Sequence, residues 1–209
     1  MIHYIEPAAR AGHGGLLTEY FRLRKTVFCD ELRWVQPNED GTETDAFDQL
    51  YNIYILNTDD ATGAVNGGVR LMPTTGPTLL HKVWPDMLPD ADDFRSPNIW
   101  EATRFCVAPQ SNASRKGNFV NRATLALSVA VMEFGAANGI SAVIGVCERK
   151  FFDMSSVYGA HAEIVSFKTD ANGLEICCGL WSTRKEKNTL AWAKMFTGAS
   201  EPVLIQQAA

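Results

Sequence analysis

The chain has 209 residues, 46% of them apolar and 21% charged, an ordinary balance for one folded domain with a substantial core. Its formal net charge of −5 gives no overall basic field of the kind that gathers nucleic acid. The opening MIHYIEPAAR lacks the basic-then-apolar order of a signal peptide, and the longest greasy run, ATLALSVAVMEF (123–134), is too short and too polar to cross a bilayer.

In chain order, LLTEYFRLRKTVFCDELRW (16–34) predicts a helix, because Leu17, Phe21, Arg24, Phe28 and Leu32 recur at helical spacing on one face. QPNEDGTETDAFD (36–48) is polar, with Pro and Gly, and reads as a loop. NIYILN and AVNGGVRLMP flank TDDATG as a hairpin pair. A long Pro-rich connection with a short helical turn leads to a strand over 99–107. A mostly apolar helix spans 118–138 and stops at Asn138-Gly139. Strand 140–147, helix 148–158, strands near 162–168 and 174–182, and a last helix over 184–196 complete the order. Strands alternating with helices in the second half predict an α/β sheet covered on both faces. There is no internal repeat and no low-complexity linker.

Five cysteines (29, 106, 147, 177, 178) form no CxxC pair and read as reduced thiols of a cytoplasmic protein. Four histidines (3, 13, 81, 161) are scattered, so no metal site is expected. Charge at unexpected places is more informative. Arg24 lies on the apolar stripe of the first helix, and Asp45 and Asp48 flank Ala46-Phe47. Arg70 follows Gly67-Gly68 in an apolar strand, and Glu101 and Arg104 interrupt NIWEATRFCV. In a regular strand Glu101, Thr103 and Phe105 point one way and Ala102, Arg104 and Cys106 the other. A charge therefore faces a buried layer, or the strand is bulged. Two readings stay open here: ion pairs that tie a polar N-terminal lobe to the sheet, or a charged cleft.

RxxVFxxELxW (24–34), DxxD (45–48), GxxR (67–70) and WExTRFxV (100–107), in this order and spacing, resemble the acyl-homoserine-lactone synthases, the autoinducer synthases of bacterial quorum sensing. The motifs cover about residues 20–110, and the rest of the chain fits in length and element order. The resemblance implies a three-layer mixed sheet with a V-shaped cleft, similar to GCN5-related N-acetyltransferases, whose fourth strand often carries a bulge. It implies a single domain over 1–209, with a mobile S-adenosylmethionine-binding part in 1–50 and a sheet core with an acyl pocket in 51–209. The implied reaction moves an acyl chain from acyl carrier protein, or acyl-CoA, to the amine of S-adenosylmethionine. Lactonisation then releases methylthioadenosine. S-adenosylmethionine is a substrate, so no cofactor is implied, and neither nucleic acid nor membrane is a partner.

Carried over by position, the resemblance assigns S-adenosylmethionine binding to Arg24, Phe28, Trp34, Asp45, Asp48, Arg70 and Arg104, and catalysis to Glu101, Arg104 and Asp45. The chemistry suits these side chains. Phe28 and Trp34 can meet the sulfonium and adenine, although plain core packing would also explain them. Asp45 or Asp48 can hold the ammonium, and Arg24 or Arg104 the carboxylate. The attacking amine has a pKa of about 8 when free, so Glu101 faces a modest task as base, directly or through one water. Backbone N–H groups at a bulge near Phe105 or Cys106 would serve the thioester oxyanion.

The acyl pocket implied by the resemblance uses Trp84, Thr103, Phe105, Val129, Val143, Gly145 and Phe152, each of which also suits an ordinary core. Thr103 stands where the family often has Ser, Trp84 where Phe is common, and Gly145 where makers of 3-oxo signals tend to carry Thr. Gly offers no hydroxyl, so an unsubstituted chain is expected, and Gly145→Val is expected to penalise the native donor more than a shorter one. Arg115, Lys116, Arg149 and Lys150, in SRKGN and ERK near helix starts, are candidate contacts for the carrier's phosphate, or simply solvated charge. The alternative enzyme is a generic acetyl-CoA-dependent N-acetyltransferase, which would not need the Arg24, Trp34, Asp45 and Asp48 set. A non-catalytic sensor of acyl-lactones is the third reading, but no helix-turn-helix with a basic face is evident.

Overall fold

The order of elements follows from where apolar residues must be hidden. A computed structural model describes residues 1–90, 92–109, 122–157, 159–160, 162–170, 173–184 and 187. Among them are strands β1 (Ile2–Ile5), β2 (Ile53–Thr58), β3 (Val65–Pro73), β4 (Ile99–Val107), β5 (Ala142–Glu148), β6 (Ala162–Thr169) and β7 (Glu175–Ser182). Helices α1 (Gly14–Arg24), α2 (Leu79–Val83), α3 (Arg122–Ala137) and α4 (Arg149–Val157) flank them. The seven strands form one mixed, open sheet in the order β1-β2-β3-β4-β5-β7-β6. β1 lies antiparallel to β2, β4 parallel to β5, and β7 antiparallel to both β5 and β6. The α/β mixed sheet expected from the sequence is present. The predicted helix over 184–196 and the start of the one over 118–138 lie outside the described residues.

The chain divides into two compact units. One takes Met1–Arg70 and the described part of Arg104–Ser128; the other takes Leu71–Thr103 and the described part of Val129–Ser200. In the first unit, Ile5, Leu17, Tyr20, Phe28, Tyr54, Leu56 and Cys106 form a buried cluster. α1 runs on into a π-helical turn (Lys25–Glu31), which changes the angular step after Arg24. As a result Tyr20 and Cys29 are buried, while Phe21 and Leu32, expected on the buried stripe, are only half-buried. β1 was not predicted: four residues of mixed polarity carry no period, and only their ladder to β2 reveals the strand.

In the second unit the pleat separates two faces. Ile144 and Cys178 pack with Leu80, Met87 and Leu88 on the side of α2. On the opposite side Trp100 meets Phe134 of α3 edge-on, and Trp181 meets Phe152 of α4. Gly139, at φ +70°, ends α3 in the conformation a helix stop requires.

Candidate active site

Asp45 and Asp48 owe their placement to a local device. Asp45 caps a 3-10 turn (Ala46–Gln49), accepting from the Phe47 N–H at 2.9 Å, while its own N–H donates to Asp48 Oδ2 at 2.7 Å. This reciprocal capping box fixes both carboxylates before any arginine arrives. Arg24, fully buried on α1, then donates to Asp48 through both terminal nitrogens at 2.8 and 3.0 Å and through Nε to Glu43 at 2.6 Å. Arg70, buried on β3, donates to Asp45 at 2.6 and 3.0 Å and to Asp48 at 2.7 Å. Arg104 donates to Glu43 at 3.0–3.2 Å and lies 3.0 Å from Asp45 Oδ2. Three guanidinium groups thus meet three carboxylates, and the cluster is neutral as a whole.

Tyr54 adds a 2.7 Å hydroxyl donor to Asp48. Burial pushes the Asp48 carboxyl up, but hydrogen bonds and charge from Arg24, with the charge of Arg70, outweigh it and hold Asp48 well below the usual carboxylate range. Burial together with the Asp48 charge raises the Tyr54 hydroxyl, which stays protonated as the donor.

Why β4 carries both Glu101 and Arg104 is now clear. Arg104 has φ +54°, which bulges the strand, and its carbonyl accepts the Tyr20 hydroxyl at 2.8 Å. Alternation breaks there: Glu101 and Thr103 are buried, but the next buried residue is Cys106 rather than Phe105. Arg104 turns to the carboxylates and lies 5.4 Å over the Phe28 ring. Phe28 and Trp34 stand 6.1 Å apart. The glycines of GxxR have a packing reason: a Cβ on Gly68 would sit 2.6 Å from the Tyr20 ring, and one on Gly67 only 2.9 Å from Leu127.

The cluster has an inside and an edge. Arg24, Arg70, Glu43 and Asp48 are buried and bonded to one another, so they position the rest. Asp45 and Arg104 keep side-chain exposures of 19% and 14%, and Trp34 is 47% exposed; these three can meet a ligand. Burial pushes the Cys106 thiol up to about 12, which removes it as a nucleophile. A shallow concavity of about 420 Å³ is lined by Cys29, Asp30, Arg33, Val35, Gln36 and Pro37, and includes no member of the cluster. Glu43 was missed by sequence reasoning, although it bridges Arg24 and Arg104. It is one of several acids in a polar loop, and no period marks it.

Glu101 stands in the second unit, 1% exposed, where Oε1 accepts the Leu80 N–H of α2 at 2.9 Å. The acyl-pocket candidates are divided. Thr103 and Trp84 lie on the α2 side, Trp84 against the cluster of Leu80, Ile144 and Cys178. Val143, Gly145 and Phe152 lie on the opposite side, and Val129 is buried on α3. Phe105 belongs to the first unit. Gly145 is not simple spare room. A Cβ there would meet the Ala102 carbonyl oxygen at 2.8 Å, so Gly145→Val would strain the backbone and cannot report on donor bulk alone. Arg149 pairs with Asp153 at 2.8 Å and Lys150 pairs with Glu148 at the start of α4; Arg115 and Lys116 lie outside the described residues. Among the described residues no group of three or more His, Cys, Asp or Glu could hold a metal, and no helix is long and apolar enough to cross a membrane.

The model of the autoinducer synthase family matches residues 12–188. An acyl-homoserine-lactone synthase of Rhizobium radiobacter is 30% identical over 151 residues, 72% of this chain and 71% of the relative. The solved structure of a CoA-dependent acyl-homoserine lactone synthase with S-adenosylmethionine and isopentyl-CoA is 26% identical, with a TM-score of 0.78 over 94% of this chain and 89% of that one. An N-acetyltransferase structure from Lactobacillus plantarum, at 16% identity and a TM-score of 0.53 over 88% of this chain and 98% of that one, shares the fold.

Proposed function

Because the chain belongs to the autoinducer synthase family and is an acyl-homoserine-lactone synthase, an acyltransferase, we propose that its acyl acceptor is S-adenosylmethionine, bound at the Asp45–Arg104 edge of the ionic cluster. One observation carries this reading. Asp45 and Arg104, 3.0 Å apart and both partly open, present an anion beside a cation. That pair matches an α-amino acid zwitterion, with the ammonium on Asp45 and the carboxylate on Arg104. Phe28 and Trp34 lie beside Arg104 and offer ring faces to a sulfonium. The related enzyme solved with S-adenosylmethionine supports the choice of ligand.

Glu101 takes a proton from the amine as it attacks the thioester carbonyl; the thiol carrier leaves and the amide forms. The substrate's own carboxylate then attacks the carbon beside the sulfonium, closing the lactone and expelling methylthioadenosine. This second step is intramolecular, so holding the substrate folded lowers its barrier. The donor is an acyl thioester of acyl carrier protein or CoA, and the CoA-dependent relative favours testing CoA first. Work in the cytoplasm, where these substrates reside, belongs to the same proposal.

The purified chain, given S-adenosylmethionine and acyl thioesters of both carriers, should yield an acyl-homoserine lactone and methylthioadenosine in equal amounts by mass spectrometry. An acylated amine without methylthioadenosine would instead mark a generic N-acetyltransferase. Binding should also tighten the N-terminal part, since residues 20–50 hold most of the proposed contacts. Amide hydrogen exchange there should slow at saturating S-adenosylmethionine, and no change over 20–50 would place the site elsewhere.

A further inference from the structure

The second unit contains a trough that an acyl chain would fill, and one side chain already occupies its end. In the β5–β7 ladder Gly145 stands directly opposite Gly179. Two glycines facing each other leave the sheet without side chains at that level, where a pair of ordinary residues would fill the space. The indole of Trp181 folds back over the gap. Its ring would lie 2.5 Å from a Cβ on Gly179 and 3.9 Å from one on Gly145. Phe152 closes the other side, 2.8 Å from a Cβ on Gly179, with its ring centroid 5.5 Å from that of Trp181. The indole is pinned as well as packed. Its Nε1–H donates to Ser155 Oγ at 2.9 Å, and that buried hydroxyl donates to the Phe152 carbonyl at 2.7 Å.

The trough begins next to the chemistry. The parallel β4–β5 ladder covers residues 99–101 against 142–144, and Glu101↔Ile144 is its last pair among the described residues. The next residue of β5 is Gly145. Glu101 projects to the α2 side and the indole lies on the α4 side, so a chain attached to a thioester near Glu101 enters the trough around the end of that ladder.

We propose that Trp181 is a specificity-determining residue, which ends the acyl slot and restricts the donor to short acyl chains, straight or branched. The proposal rests on the reading of this chain as an acyl-homoserine-lactone synthase with Glu101 as base. Indole carbons fill volume that the distal methylenes of a longer chain would need. Since the ring is held by Ser155 and Phe152, a longer chain must break that packing to enter.

The test is a competition among butanoyl, isovaleryl, hexanoyl, octanoyl and decanoyl thioesters, presented on CoA and on acyl carrier protein, with kcat/KM read for each lactone. The wild-type chain should favour the short donors. Trp181→Leu should raise the ratio of decanoyl to butanoyl kcat/KM by at least about tenfold, the lower end of what one mismatched methylene is worth in an apolar pocket. Trp181→Phe keeps an aromatic filler of smaller size and should shift the ratio in the same direction by less. A general loss of packing would lower all donors together and leave the ratio where it was. The proposal is overturned if the wild type prefers octanoyl or longer donors. It is equally overturned if the ratio does not move in Trp181→Leu or, should that variant fail to fold, in Trp181→Phe. A wild-type chain that forms no lactone from any donor would sink the parent reading, and this one with it.

Discussion

Glu101→Gln should leave a folded chain that still binds S-adenosylmethionine but acylates it about 100- to 10,000-fold more slowly, the usual contribution of a positioned general base. The fold should survive because the hydrogen bond that anchors the side chain does not need a charge. Oε1 accepts the Leu80 N–H at 2.9 Å, and the amide oxygen of glutamine can do the same in the same volume. What is lost is proton affinity. The free amine of the acceptor has a pKa of about 8, and its proton must leave before or during attack on the thioester. An amide cannot take it. Ligand affinity should change little, because the proposed binding groups Asp45, Arg104, Phe28 and Trp34 make their contacts with one another and not with Glu101. Three measurements on the purified variant decide the matter: methylthioadenosine release under saturating donor, a thermal melt, and calorimetric titration with S-adenosylmethionine. Turnover within a few-fold of wild type, in a protein with an unchanged melt, would exclude Glu101 as the required base.

The charged residues were legible in the sequence because each broke a local rule. Arg24 sat on an apolar stripe, Arg70 and Glu101 sat inside apolar strands, and Asp45 and Asp48 had the spacing of a reciprocal cap. A buried charge must find a partner, so those residues pointed to one another before any coordinates. Glu43 broke no rule, as an acid in a polar loop is ordinary, and only the closed chain shows it between Arg24 and Arg104. The bulge at Arg104 was foreseen as one of two ways to reconcile the strand, but its effect on Cys106 and Phe105 needed the backbone angle. The acyl candidates were the least legible. Apolar residues in strands identify a core without saying which face is which. Here the pleat puts Thr103 and Trp84 on one side and Val143, Gly145 and Phe152 on the other. Trp181 was not among the candidates at all. Its part emerges from two glycines that lie far apart in sequence and meet only through the β5–β7 register.

Removing Asp48 should be the most destabilising single change in the first unit. Asp48 accepts from Arg24 twice, from Arg70, from the Tyr54 hydroxyl and from the Asp45 N–H, and all these groups are buried or nearly so. Asp48→Ala leaves three guanidinium groups facing two carboxylates, an uncompensated charge in a site closed to water. Breaking a buried pair in this way costs about 3–5 kcal/mol, a large share of a typical total stability of about 5–15 kcal/mol. The loss should be partly recovered when the opposing charge is also removed. In a cycle of Asp48→Asn, Arg70→Met and the double variant, the double should be more stable than the sum of the singles predicts, by about 0.5–3 kcal/mol. Strict additivity in urea melts would mean that the two residues do not share an environment. Acid gives an independent check. Folding lowers the proton affinity of Asp48, so its contribution is complete above the unfolded carboxyl value of about 3.9 and fades as the pH falls toward the depressed folded value. Wild-type stability should therefore decline steeply below about pH 4, while Asp48→Ala, which has already lost that contribution, should decline less over the same range. Parallel curves for the two proteins would show that Asp48 is not the carboxylate whose ionisation holds Arg24 and Arg70 in place.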